Sequence, residues 1–190
     1  TERKILVRSA RQQDMMTFLN KFRQIGGGFD VNRDGITFYR REEKLKPITL
    51  ETDVHPGFMT DWQQPLMIVL TQADGRSIIR ETVYQNRFGY TEALNKMGAK
   101  IKVFEEAPEV IKSKFGRRNY RQSASVDGPT ALTGAEIVVP DLRAGFSYIV
   151  AALVASGEST IRKFNVLQRG YEHLVAKLQS LEADIVEIKN

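Results

Sequence analysis

Two stretches of the chain share one arrangement of polar and apolar positions. In TDWQQPLMIVL, residues 60 to 70, Asp61 stands before a run that grows steadily more apolar. The arrangement returns 80 positions later as PDLRAGFSYIVAALVA, with Asp141 in front. Leu66, Met67, Ile68, Val69 and Leu70 fill the first run. Leu142, Phe146, Ile149, Val150, Leu153 and Val154 dominate the second, among small residues. Neither run leaves a polar face, and a helix that is apolar all round is a buried one. Each run leads to a glycine, Gly75 or Gly157, which reads as a helix C-cap. A β-branched strand follows, SIIRETV or STIRKF, and then a second helix and strand in QNRFGYTEALNKMGAKIKV and LQRGYEHLVAKLQSLEADIVEI. Arg87 aligns with Arg169 and Leu94 with Leu178, so the unit Asp–helix–strand–Arg–helix–strand is used twice.

The first 40 residues read as the back half of a third copy. KILVRS is a strand. DMMTFLNKFRQIGG carries Met15, Leu19, Phe22 and Ile25 on helical spacing and stops at Gly26 and Gly27, as the second copy stops at Gly98. FDVNRDGITFYR is a hairpin turning at Asn32 to Gly35. The expected fold class is α/β (α+β), a single lobe of about two and a half repeats. Its parts are a partial repeat over 1–50 and repeats over 51–130 and 131–190. Buried helices with sheets outside them make an inside-out α/β barrel lobe, in which a helix meets solvent only at its ends.

Composition narrows the chemistry. The 190 residues are 42% hydrophobic and 27% charged, ordinary for a globular domain. The absence of cysteine excludes disulfides, thiolate ligands and a cysteine nucleophile. His55 and His173 are too few for a histidine-based metal site, so neither a metal nor a cofactor is expected. No apolar run is long enough to span a bilayer and no signal peptide opens the chain, which implies a cytoplasmic protein. Thr1 is not a native start, so an upstream segment is expected. A net charge of +5 suits an anionic ligand. The densest basic stretch, KSKFGRRNYRQ (112–122), interleaves Phe115 and Tyr120 with five cations. It reads either as a solvated loop or as an RNA contact.

The repeated aspartates have two readings. As N-caps, Asp61 and Asp141 satisfy the first free N–H groups of their helices, worth about 1 kcal/mol each. Alternatively, two buried helices present their positive ends to an anion in one cleft. Arg143 favours the second, because a cation in the first turn opposes the helix dipole. Arg87 and Arg169, at matched loops between a strand and the next helix, suit a bidentate grip on phosphate or carboxylate.

TDWQQ, ETVYQNRFGYTEALNKMGA, PDLRAG and RGYEHLVAKLQSLEADI together resemble the C-terminal part of the UDP-N-acetylglucosamine 1-carboxyvinyltransferase family, the enolpyruvyl transferases of peptidoglycan synthesis. The resemblance implies two lobes, each of three βαβαββ units around buried parallel helices, with substrates between the lobes at the helix N-termini. It implies transfer of the enolpyruvyl group of phosphoenolpyruvate to the 3-hydroxyl of UDP-N-acetylglucosamine. By position, Asp61 would meet that hydroxyl as general base, and Val83 would contact the nucleotide sugar. Arg87, Arg143 and Arg169 would face phosphoenolpyruvate, with Asp141 assisting proton transfer; Asp61, Asp141 and Arg169 are thus the catalytic candidates. Enol ether addition needs one proton delivered and one removed, hence paired carboxylates.

Departures from the family pattern qualify this picture. Its Lys-Asn pair and its mobile loop are absent, which implies that this chain is half an active site, inactive without the N-terminal lobe. The segment 107–122 looks like an insertion, and Glu182 stands where the family has a glycine. The alternatives are the shikimate-pathway enolpyruvyl transferase, a non-catalytic sugar-nucleotide binder of the same fold, and an RNA-binding module, whose affinity would fall steeply with salt. An incomplete repeat leaves apolar surface uncovered, so a homodimer of the fragment is a further expectation.

Overall fold

The computed structural model describes residues 4–104 and 122–188. The chain divides into two compact units, residues 1–131 and 132–190. The fold is mixed α/β, with the expected buried helices. Its sheets are three separate ones of three, four and two strands, and none of them closes into a barrel among the described residues.

The first unit opens with β1 (Ile5–Arg8), α1 (Met16–Gln24), β2 (Gly27–Asn32) and β3 (Gly35–Arg40). The hairpin forms where the turn residues place it. Asn32 faces Gly35 across a two-residue loop, and its side-chain oxygen accepts the Asp34 N–H at 3.0 Å. β1 adds antiparallel to the other side of β3. The apolar stripe of α1 lies over this sheet. Leu19, Phe29 and Ile36 form the centre, with Met15 and Phe22 packed around them.

Next come β4 (Thr49–Glu51), α2 (Thr60–Leu70), β5 (Gly75–Glu81), α3 (Thr91–Lys96), β6 (Ile101–Phe104) and β7 (Gln122–Gly128). The strand order is β4-β5-β7-β6; β4 runs parallel to β5 and the other pairs are antiparallel. Arg76 and Asp127 sit opposite each other on β5 and β7, joined by two hydrogen bonds of 2.6 and 3.0 Å. The guanidinium holds the Asp127 carboxyl below its usual range. α2 packs on β5 and β7, and Met67, Ile68 and Leu70 are fully buried there. Its first turn therefore sits beside the loop that leaves β5.

The second unit holds β8 (Glu136–Val138), α4 (Leu142–Val154), β9 (Thr160–Arg162), α5 (Asn165–Gln168) and α6 (Leu174–Gln179). β8 and β9 are parallel. Val139, Ile149, Leu167 and Leu174 make the core. No helix among the described residues is long and apolar enough to cross a membrane.

Three expectations are corrected, and a fourth lies outside the described residues. Thr71 is the C-cap of α2 and Ala155 that of α4, so Gly75 and Gly157 cap neither helix; Gly75 instead opens β5 with a positive φ. Leu153 and Val154, expected in the core, are exposed, because the last turn of α4 runs past the core built around Ile149. ADIVEI forms no strand. No strand among the described residues pairs with it, and Val186 and Ile188 stand in solvent. The basic stretch 112–122 lies, apart from Gln122, outside the described residues.

Glu182 occupies a left-handed conformation, φ 63. Its N–H returns to the Gln179 carbonyl at 2.9 Å, and the Ala183 N–H to Leu178 at 3.1 Å. Gly98 (φ 105) and Ala99 make the same pair of bonds after α3, to Asn95 and Leu94. This helix stop favours glycine, because a Cβ crowds the backbone there. Glu182→Gly should therefore stabilise the chain by about 0.5 kcal/mol or more, the relieved strain exceeding the entropy cost of glycine. A urea midpoint that falls in this variant would contradict that.

Candidate active site

The first turn of α2 carries the cluster in the first unit. Met59, in extended conformation, is the N-cap, and it offers no side-chain bond. Asp61 therefore is not the cap that its position suggested. It lies one residue inside the helix, and its Oδ1 accepts a hydrogen bond from Arg87 Nη2 at 3.0 Å. A carboxylate in the first turn still gains from the helix dipole, and a guanidinium is a stronger donor than a backbone amide. The pair is asymmetric: the Arg87 side chain is only 13% exposed, the Asp61 side chain 55%. The arginine is seated and the carboxylate faces solvent.

Arg87 is held from several sides. Its guanidinium lies over the Tyr84 ring, 4.8 Å from the centroid, and its carbonyl accepts a long bond from Gln64 Nε2 at 3.4 Å. Gln63 is fully buried on the same helix, and its Oε1 accepts from the Tyr90 hydroxyl at 3.1 Å. Gln63 Nε2, Gln64 Oε1 and Arg87 Nε are buried with no hydrogen-bond partner among the described residues. Such orphans cost about 1–3 kcal/mol each, and a concentration of them calls for an explanation in function. Trp62, the sole tryptophan, packs edge-on against Phe58 and Phe18 directly beside Asp61. Val83 is half-buried on the loop after β5, and its N–H donates to Glu81 Oε1 at 2.9 Å. Asp61, Val83 and Arg87 are thus brought to one place.

The second unit gathers the other three candidates. Asp141 is a true N-cap: Oδ1 accepts the N–H groups of Arg143 at 2.9 Å and Ala144 at 3.0 Å. Arg143 is exposed in the first turn of α4. Arg169 follows the one-turn helix α5, so it is not on a simple strand-to-helix loop as expected. The next residue fixes its place. A Cβ on Gly170 would come within 2.7 Å of Leu142, so the main chain there lies against the first residue of α4. The Tyr171 ring stacks on Phe146 at 4.8 Å. Asp141 and Arg143 thus stand at the N-terminal end of α4, and the main chain that carries Arg169 lies beside it; a helix N-terminus with cations near it favours an anion.

Gln63, Gln64, Glu81 and Tyr90 join the cluster although they were not among the expected site residues. The quoted blocks contain all four, but nothing in residue type or spacing shows that they are buried.

The family described as EPSP synthase (3-phosphoshikimate 1-carboxyvinyltransferase) matches residues 1–178. The chain belongs to the EPSP synthase family. Within it, the chain is 50% identical over 182 residues to the UDP-N-acetylglucosamine 1-carboxyvinyltransferase of Protochlamydia amoebophila (strain UWE25), covering 96% of this chain and 39% of that protein. The protein of the same name from Chlamydia abortus (strain DSM 27085 / S26/3) is 46% identical, over 96% of this chain and 41% of its own length. The chain thus spans about two fifths of the curated relatives it matches. Among solved structures it is similar to the enolpyruvyl transferase NikO from Streptomyces tendae, with a TM-score of 0.74, 27% identity, and cover of 93% of this chain and 37% of that one. EPSP synthase from Acinetobacter baumannii, at 16% identity and a TM-score of 0.63, shares the fold, over 92% of this chain and 37% of that one.

Proposed function

We propose that this chain supplies the C-terminal lobe of an enzyme that transfers the enolpyruvyl group of phosphoenolpyruvate to the 3-hydroxyl of UDP-N-acetylglucosamine, releasing phosphate. The observation that carries the reading is the Asp61–Arg87 pair at the mouth of a buried helix, in a chain about half identical to relatives of that name. The exposed carboxylate of Asp61 takes the proton from the sugar hydroxyl as it adds to the enolpyruvyl carbon. Arg87 orients that carboxylate, and Val83 lies against the nucleotide sugar. Arg143 and Arg169 hold the anionic phosphoenolpyruvate. Asp141 assists proton transfer through Oδ2, the oxygen that takes no part in the cap. Charges fixed in advance cost no reorganisation when the reaction occurs.

The residues missing from the expected family pattern come, in this reading, from the N-terminal lobe, without which the chain does not turn over. The protein acts in the cytoplasm on a peptidoglycan precursor, and so in cell wall biogenesis, cell shape and division. A homodimer of the isolated chain would cover the apolar surface that Leu153 and Val154 leave exposed.

The name of the matching family offers a rival acceptor, 3-phosphoshikimate. The curated relatives, 44–50% identical, favour the sugar nucleotide. The test joins the chain to the N-terminal lobe and follows phosphate release from phosphoenolpyruvate with each acceptor. Turnover should occur with UDP-N-acetylglucosamine and be absent with 3-phosphoshikimate. The reverse preference would overturn the assignment.

A further inference from the structure

Glu81 is a fully buried carboxylate at the end of β5. Its Oε2 accepts from the Thr60 hydroxyl at 2.9 Å. Its Oε1 accepts two main-chain N–H groups, those of Val83 at 2.9 Å and Tyr84 at 3.1 Å. Burying a charge is costly unless it is well hydrogen-bonded. A turn alone is capped as well by a neutral serine or asparagine. This carboxylate does more than close a turn, because its two oxygens reach two different elements.

Those elements are the ones that carry Asp61 and Arg87. Thr60 is the first residue of α2, and Asp61 follows it. Tyr84, fixed through its N–H, lies with its ring under the Arg87 guanidinium, and Arg87 closes the circuit on Asp61. The ring of contacts runs Thr60, Glu81, Tyr84, Arg87, Asp61 and back to Thr60, with Val83 bonded to the same oxygen as Tyr84. We propose that Glu81 is a positioning residue: it locks the first turn of α2 to the loop after β5 so that Asp61 and Arg87 meet in one geometry. The role in positioning a base rests on the reading of Asp61 given above; the coupling of the two elements does not.

The loop has a second tie. Thr82 donates its N–H to Thr52 Oγ1 at 3.0 Å and its hydroxyl to the Thr52 carbonyl at 2.5 Å. Removal of Glu81 should therefore loosen the circuit without releasing the strand end. Gln keeps an acceptor for the two amides, and the Thr60 hydroxyl can turn to accept from its NH₂ group. Asp keeps the charge but falls one methylene short.

The test uses Glu81→Ala, Glu81→Gln and Glu81→Asp in the full chain, with two readouts. One is the NMR order of the Arg87 Nε–H and the hydrogen exchange of the Val83 and Tyr84 amides. The other is UDP-N-acetylglucosamine affinity, followed by Trp62 fluorescence. Ala and Asp should lose the amide protection, mobilise Arg87 Nε and weaken binding by about tenfold; Gln should stay close to wild type. An Arg87 Nε as ordered in Ala and Asp as in wild type would reduce Glu81 to a turn cap and overturn the proposal. If Ala does not fold, the comparison of Asp with Gln decides in the same way. Wild-type protein that binds no UDP-N-acetylglucosamine would count against the proposed function, while the Arg87 readout still decides the role of Glu81.

Discussion

Asp61→Asn in the two-lobed protein is expected to lower the rate of phosphate release by about 10²- to 10⁴-fold, the usual worth of a positioned general base. The substitution is chosen to spare the structure. Asn keeps an oxygen where Oδ1 accepts from Arg87 Nη2 at 3.0 Å, and it keeps the volume of the side chain. What it loses is the ability to take a proton. Stability should hardly change, because Asp61 is more than half exposed and surface ion pairs contribute about 1 kcal/mol or less. The loss should fall on kcat more than on KM, because the hydroxyl proton moves only in the transition state. A variant that turns over at the wild-type rate would show that Asp61 serves only to hold Arg87.

Leu167→Ala is expected to have the largest effect on folding, about 2–5 kcal/mol of destabilisation. Leu167 is fully buried at the centre of the second unit, among Val139, Ile149 and Leu174. It packs under the main chain of Gly145, where a Cβ would come within 2.6 Å of it. Among the described residues the unit has a two-stranded sheet and a small core, so a cavity there finds little to fill it. Total stabilities of domains run to about 5–15 kcal/mol, so the loss should be plain in a urea titration. Leu153→Ala, on the exposed last turn of α4, should stay within about 0.5 kcal/mol of wild type. Equal effects from the two would contradict the assignment of this core. Leu167 also precedes the Arg169–Gly170 segment, so the same variant should loosen the seat of Arg169 on α4.

The sequence was most legible where the physics is local. The Asp141 cap needs only one carboxylate and the two amides ahead of it, and it forms as its residue type implies. The hairpin at Asn32 to Gly35 and the apolar stripe of α1 are equally local. Glu182 shows alignment within the chain at work: Leu94 matched to Leu178 puts Glu182 at the place of Gly98, and both adopt a positive φ with the same two bonds.

The rest depended on distant partners. Asp61 looks like a cap in sequence, but Met59 takes that position and a guanidinium 26 residues away claims the carboxylate. ADIVEI has the apolar content of a strand, yet a strand needs a neighbour and none among the described residues pairs with it. Glu81 ends a β-branched run, where a charge usually marks the way out to solvent. Its burial is set by Thr60, 21 residues earlier. The two glutamines after Trp62 read as the polar opening of a helix, and only the packing of α2 on β5 and β7 reveals them as buried.

In the proposed function, the cluster around Asp61 and Arg87 receives a sugar nucleotide. The direct measurement is a titration of UDP-N-acetylglucosamine into the chain, followed by amide NMR shifts and by the fluorescence of Trp62. Saturable shifts centred on Asp61, Val83 and Arg87 are expected, with a parallel change at Trp62 and loss of both in Asp61→Ala. Shifts confined to other parts of the chain, or none at millimolar ligand, would contradict it.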